Sequence, residues 1–228
     1  PPRSTLDRSS AASDVYKRQF HKLYRELLNF CSLDLSAFYF DIRKDVLYCD
    51  DLKSEKRKIC TNLLSVTLDI LLKWFAPILS FTTEEIFQII NFEKNSSIHL
   101  ENFPKIPQNW ENKKLYEKWE KLKIIRNVVN AGIEVKRSSK DIGSSLEADI
   151  EIYLGKEYLE LVKDINLSEY FITSKATVKN MINEDKIFKL NDIPNVGVLV
   201  QKAKGEKCGR CWKILGNPCE RCKSVLKN

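Results

Sequence analysis

An α-helical bundle, followed by a small α+β domain and a C-terminal metal knuckle, is the architecture this 228-residue sequence predicts. Three observations lead there. Apolar residues recur at intervals of three and four from Phe20 onward, the pattern changes to strict alternation after Gly143, and four cysteines near the end pair as two C-x-x-C units.

The elements can be taken in order. Residues 1–19 are polar and small and show no helical period, and Asp14-Val-Tyr-Lys-Arg-Gln19 has the look of a translated library adaptor, so this stretch reads as a non-native leader to a fragment. Phe20, Leu23, Tyr24, Leu27, Leu28, Cys31 and Leu35 then mark an amphipathic helix. Residues 41–51 read as a charge-rich connection. A second helix over 54–75 carries Ile59, Leu63, Val66, Ile70 and Trp74 on one face, and Pro77 ends it, because proline disfavours helical geometry in the residue before it. Thr82-Thr-Glu-Glu85 matches a capping box at the head of a third helix with Ile86, Phe87, Ile89 and Ile90. Residues 20–103 are thus expected to form one helical domain.

Pro104 and Pro107 mark a linker over 91–109. Leu115, Trp119, Leu122, Ile125, Val129 and Ile133 predict a helix over 111–136; periodicity leaves open whether it packs on the bundle or with the strands after it. Ala148, Ile150, Ile152 and Leu154 alternate with Asp149, Glu151 and Tyr153 as in a half-buried strand. A short helix over 158–164 and strands over 170–173 and 196–203 complete an α+β domain spanning 104–200, and residues 201–228 form the tail.

Composition excludes several function classes. Hydrophobic residues make up 43% of the chain and 23 residues are aromatic, enough for a real core. Glycine is scarce, with 7 residues, and neither G-x-x-x-x-G-K-[ST] nor G-x-G-x-x-G occurs. The longest apolar stretch, 70–81, is broken by Lys73 and Pro77, short of the roughly 20 residues of a membrane span. A soluble protein with no membrane partner is expected. The two histidines, His21 and His99, read as structural or surface residues, and Glu84 and Glu85 suit a helix start, where negative charge is favoured. No catalytic constellation is visible.

The tail is where the chemistry concentrates. Of the formal charge of +7, residues 201–228 carry +6 and residues 1–19 carry +2, leaving the middle at −1. Such a tail suits a polyanion, although a lysine-rich tail can equally be a solvated surface. The 7 cysteines are an odd number with no signal peptide before them, which points to a reduced, cytoplasmic setting. Cys31, Cys49 and Cys60 sit among apolar residues and read as small buried hydrophobes. Cys208-Gly-Arg-Cys211 and Cys219-Glu-Arg-Cys222, seven residues apart, have the spacing of ligands to one structural zinc ion, with an iron-thiolate centre or a redox disulfide as the other readings. Four thiolates on one zinc ion carry −2, so the loaded tail remains basic. Trp212 follows directly on Cys211 between Arg210 and Lys213, an arrangement that suits bases stacked on an aromatic ring with cations at their phosphates. The other reading makes Trp212 the cover of a miniature core.

Several stretches carry a family resemblance. Phe20-His-Lys-Leu-Tyr-Arg-Glu-Leu-Leu-Asn-Phe30, Asp34-Leu-Ser-Ala-Phe-Tyr-Phe-Asp-Ile42 with Lys44-Asp45, Ala76-Pro-Ile-Leu-Ser-Phe-Thr-Thr-Glu-Glu85, Gly143-Ser-Ser-Leu-Glu-Ala148 and Lys204-Gly-Glu-Lys-Cys-Gly-Arg-Cys-Trp212 resemble the C-terminal part of bacterial isoleucyl-tRNA synthetases. The first three stretches are shared with the valine, leucine and methionine relatives, and the last two narrow the resemblance to the isoleucine family. The resemblance implies a helical anticodon-binding domain, a junction domain and a zinc tail that grips the anticodon end of isoleucine tRNA. Zinc would sit on Cys208, Cys211, Cys219 and Cys222, with Trp212, Arg210, Lys213, Arg221, Lys207 and Lys44 toward the RNA. The seven-residue spacer departs from the longer one common in the family. H-x-G-H and K-M-S-K-S, the family's ATP-binding signatures, do not occur in the chain. The resemblance therefore implies ATP chemistry only in a catalytic domain elsewhere, and a cytoplasmic, monomeric full-length enzyme. The rival expectations are a free-standing zinc-containing RNA-binding protein and a stapled docking module for a partner protein.

Overall fold

The computed structural model describes residues 19–91, 96–105, 107–181 and 186–227. The leader expected over 1–19 lies outside them except for Gln19. The chain divides into two compact units, one of Pro1–Arg43 with Leu52–Glu111, the other of Lys44–Asp51 with Asn112–Asn228.

The first unit is helical, as expected. Helix α1 (Phe20–Asn29) runs into a segment of π-helical turns, Phe30–Phe40, and on into α2 (Asp41–Cys49), which from Lys44 onward belongs to the second unit. The stripe that periodicity gave α1 is narrower than expected, for Leu23 and Leu27 are buried while Phe20, Tyr24 and Leu28 are exposed. The π turns take more residues than the 3.6 that the spacing assumed, and nothing in that segment is fully buried. The connection expected over 41–51 is instead mostly helix. Ile42, Val46 and Cys49, spaced i, i+4, i+7, are all buried, and this stripe rather than the flanking charges decides the conformation.

Helix α3 (Glu55–Phe75) and helix α4 (Ser80–Ile90) come next. The buried side of α3 is Cys60, Leu72 and Trp74. Trp74 packs on Leu23 and Leu27, and Leu72 joins Ala76, Phe87 and Ile98 in a second cluster. Ile59, Leu63 and Val66, predicted to face a core, are exposed. The expected capping box is not formed. Helix α4 begins at Ser80, and the Thr83 hydroxyl bonds back to the Leu79 and Ser80 carbonyls at 3.0 and 3.3 Å. Glu84 acts at another turn, accepting from Gln88 Nε2 (2.7 Å), Ser97 Oγ (2.8 Å) and Ile98 N (2.9 Å). It thereby holds the turn at Ile98–Leu100, within the expected linker, whose Ile98 is buried in the second cluster.

The second unit packs helix α5 (Lys113–Ser138) on a four-stranded sheet, which settles the place of that helix. Asn112 caps it, accepting from Leu115 N at 2.9 Å. Leu122, Ile125, Val129 and Ile133 are buried as the period predicts, and Gly132 brings the helix so near the sheet that a Cβ there would meet Val198 Cγ1 at 2.5 Å. Strand β1 (Ala148–Leu154) leads through α6 (Lys156–Val162) and the short α7 (Leu167–Tyr170) to β2 (Lys175–Asn180), then β3 (Phe188–Leu190) and β4 (Ile193–Lys202). The sheet order is β2-β1-β4-β3, with β1 parallel to β2 and antiparallel to β4. The strand expected over 170–173 is absent. Ile172 has φ +57, which breaks an extended run, and Tyr170 is buried against α5, its ring 5.8 Å from Trp119 and its carbonyl bonded by the buried Arg126. A further short helix, α8 (Glu220–Leu226), closes the chain. Among the described residues no helix is long and apolar enough to cross a membrane.

Two outcomes are expected. Gly132→Val forces helix and sheet apart and lowers the unfolding free energy by about 2 kcal/mol, measured by urea titration. Hydrogen bonds from Gln88 and Ser97 hold the Glu84 carboxyl below the usual glutamate range, so its stabilisation is present above about pH 4.3 and lost as pH falls through the lowered native value. Glu84→Gln therefore unfolds at lower urea than the wild type at pH 7, and the difference closes near pH 3.

Candidate metal centre

The first cysteine pair sits on a tight turn. Cys208 N donates to the Lys213 carbonyl at 2.8 Å and Trp212 N donates to the Cys208 carbonyl at 2.9 Å. Trp212 occupies the turn's left-handed position, with φ +64. Asn217 Oδ1 accepts from Gly209 N at 3.1 Å and ties the spacer to the turn. The second pair straddles the start of α8, where Lys223 N donates to the Cys219 carbonyl at 2.8 Å. Ser174 joins the turn to the sheet unit, accepting from Ile214 N at 2.6 Å while donating to the Leu146 carbonyl at 2.5 Å.

The sulfurs of Cys208, Cys211, Cys219 and Cys222 all lie within 4.8 Å of one another and all four residues are buried. Thiolates about 2.3 Å from one ion at tetrahedral angles would lie about 3.8 Å apart. Cys211 Sγ and Cys219 Sγ are 3.7 Å apart, so the residues fit a four-thiolate metal ion. Burial opposes ionisation of Cys208, but backbone N–H groups of Cys211, Cys219 and Arg210 outweigh it and draw the thiol down to about 6. Burial pushes Cys211 up to about 12 and also raises Cys222. A cation would let such a set ionise together, and its binding would release protons. Cys49, read as an inert hydrophobe, is packed with these four cysteines and donates from Sγ to the Arg210 carbonyl at 3.7 Å.

The predicted RNA-facing residues divide into two groups. Trp212 is 61% exposed, and Lys44 and Lys207 are exposed, Lys207 lying 3.6 Å from Glu147. The other three turn toward the chain. Lys213 is 7% exposed, Arg210 bonds the carbonyls of Tyr48 and Cys49, and Arg221 grips Asp45 with both terminal nitrogens. Sequence reasoning missed Asp45 and Cys49 as neighbours of the knuckle. The i, i+4, i+7 stripe ending at Cys49 was the available signal for the helix, and nothing local marks its target. His21 and His99 lie apart from the cysteines in sequence, and the His99 ring contacts the Ser80 carbonyl at 3.2 Å.

Comparison with known proteins places this geometry in context. Residues 9–154 match the family described as the anticodon-binding domain of tRNA ligase, a match that includes part of the stretch read as a leader. The chain is 52% identical over 202 residues to the isoleucine–tRNA ligase of Pelagibacter ubique, covering 89% of this chain and 21% of that protein. It is 40% identical over 195 residues to that of Bartonella henselae (85% and 20%) and 42% identical over 189 residues to that of Bradyrhizobium diazoefficiens (82% and 19%). The chain thus spans about a fifth of the length of the curated relatives it matches.

Cobalt(II) added to the reduced protein is expected to give the strong visible bands of a tetrahedral thiolate complex, saturating at about one ion per chain. Cys211→Ser is expected to weaken the bands and lower the metal affinity; unchanged spectra would remove Cys211 from the ligand set.

Proposed function

Because the chain belongs to the family of anticodon-binding domains of tRNA ligases, we propose that it recognises the anticodon end of isoleucine tRNA within an isoleucine–tRNA ligase. That enzyme would use ATP to attach isoleucine to its tRNA, in the cytoplasm and as a monomer, with the chemistry performed outside this chain. Residues 20–103 act as the anticodon-binding domain, 104–200 as the junction domain and 201–228 as a zinc-bearing tail. High identity over most of the chain supports this reading over a free-standing RNA-binding module.

The structural observation that carries the tail's role is Trp212. A bulky side chain in the left-handed region costs about 1–2 kcal/mol, and here it stands 61% exposed where burial returns little. Such a ring is available to an unstacked base, a contact that contributes about 1–3 kcal/mol. Exposed Lys44, Lys202, Lys204, Lys207, Lys223 and Lys227 would meet phosphates. Zinc suits the four sulfurs because it is redox-inert and tetrahedral in such sites, and its part is to fix the turn that presents the ring.

The inward Arg210, Lys213 and Arg221 favour a second reading, in which the knuckle is only a folding staple. Trp212→Ala with metal retained separates the two. The anticodon reading expects about tenfold or greater loss of affinity for labelled isoleucine tRNA, affinity that falls as salt rises, and weaker binding after the anticodon is changed. Unchanged affinity leaves the staple.

A further inference from the structure

Helix α2 presents two adjacent faces in its last turns. Asp45 and Cys49, four residues apart, share one face, and Lys44 and Tyr48, also four apart, share the next. The first face holds the knuckle. Arg221 places Nη1 2.5 Å from Asp45 Oδ2 and Nη2 2.7 Å from Asp45 Oδ1, with Nη1 also 3.4 Å from Asp50 Oδ1. Arg210 reaches the Tyr48 carbonyl at 3.4 Å and the Cys49 carbonyl beside it, at the end where a helix carries partial negative charge. The Cys49 side chain is buried among the four ligand cysteines. On the second face Lys44 is exposed and Tyr48 is 77% exposed. The same segment therefore grips the metal knuckle on one side and offers a cation and an aromatic ring on the other.

We propose that Asp45 is a positioning residue for RNA: through Arg221 it locks the knuckle to the end of α2, so that Trp212, Lys44 and Tyr48 form one surface for a looped-out strand. The proposal rests on the anticodon reading above. Its sign is opposite to that of simple charge counting. Neutralising Asp45 removes a negative charge and frees Arg221 for a phosphate, which on electrostatics alone tightens RNA binding. Loss of the lock weakens it, because stacking on Trp212 and contact with Lys44 and Tyr48 must then be made one at a time.

The test uses the full ligase chain loaded with metal and a labelled anticodon stem-loop of isoleucine tRNA. Asp45→Asn is expected to keep about one metal ion per chain and to weaken binding about five- to tenfold. Reversing the pair, with Asp45→Arg and Arg221→Asp together, is expected to bind more tightly than either single reversal. Unchanged or tighter binding by Asp45→Asn, loss of its metal, or a reversed pair no better than the single variants overturns the proposal. Trp212→Ala distinguishes the two levels: if it binds as the wild type does, the tail's part in anticodon recognition fails and this inference with it, whereas a weakened Trp212→Ala beside an unaffected Asp45→Asn removes the positioning role alone.

Discussion

Four sulfur atoms crowded within 4.8 Å of one another set the terms for the end of this chain. Buried thiols resist ionisation, as Cys211 and Cys222 show, and several thiolates at that separation would repel one another without a cation between them. A bound ion would change that balance and tie two short loops together. The left-handed turn at Trp212, the bond from Gly209 to Asn217 and the start of helix α8 all lie within the stretch that carries those sulfurs.

The same centre explains why positive charge in the tail is not distributed as counting suggests. Arg210, Lys213 and Arg221 flank the four cysteines; Arg210 is turned toward helix carbonyls and Arg221 toward carboxylates of the segment Lys44–Asp51, while Lys213 is buried. The fork on Asp45 outweighs the cost of burying that carboxylate and holds it ionised below the usual aspartate range. The lysines at 202, 204, 207, 223 and 227 stay exposed, so the tail's outward field comes from them.

Much of the second unit was legible because its signals are local. The alternation over 148–154 matches strand β1, and the spacing of Leu122, Ile125, Val129 and Ile133 matches the buried face of α5. Strands β2 and β3 were not read, the one too polar and the other only three residues long. In the first unit the stripe of Ile59, Leu63 and Val66 was a correct sign of an amphipathic helix and a poor guide to its buried side. Periodicity says that a face is apolar, and the neighbouring helix decides which face is covered. Helix α2 was missed for the converse reason: Asp41, Arg43, Lys44 and Asp45 drew attention from the buried Ile42, Val46 and Cys49 between and beyond them.

The sequence by itself determined the two C-x-x-C pairs, the helical first part, the central strand and the tail's excess of positive charge, since each rests on spacing or composition within a few residues. Tertiary structure alone decided that Asp45 meets Arg221, that Cys49 lies among Cys208, Cys211, Cys219 and Cys222, and that Lys213 is buried. Those contacts join positions far apart along the chain, 176 residues in the case of Asp45 and Arg221, and no local pattern of residues encodes a meeting between segments that only the folded packing brings together.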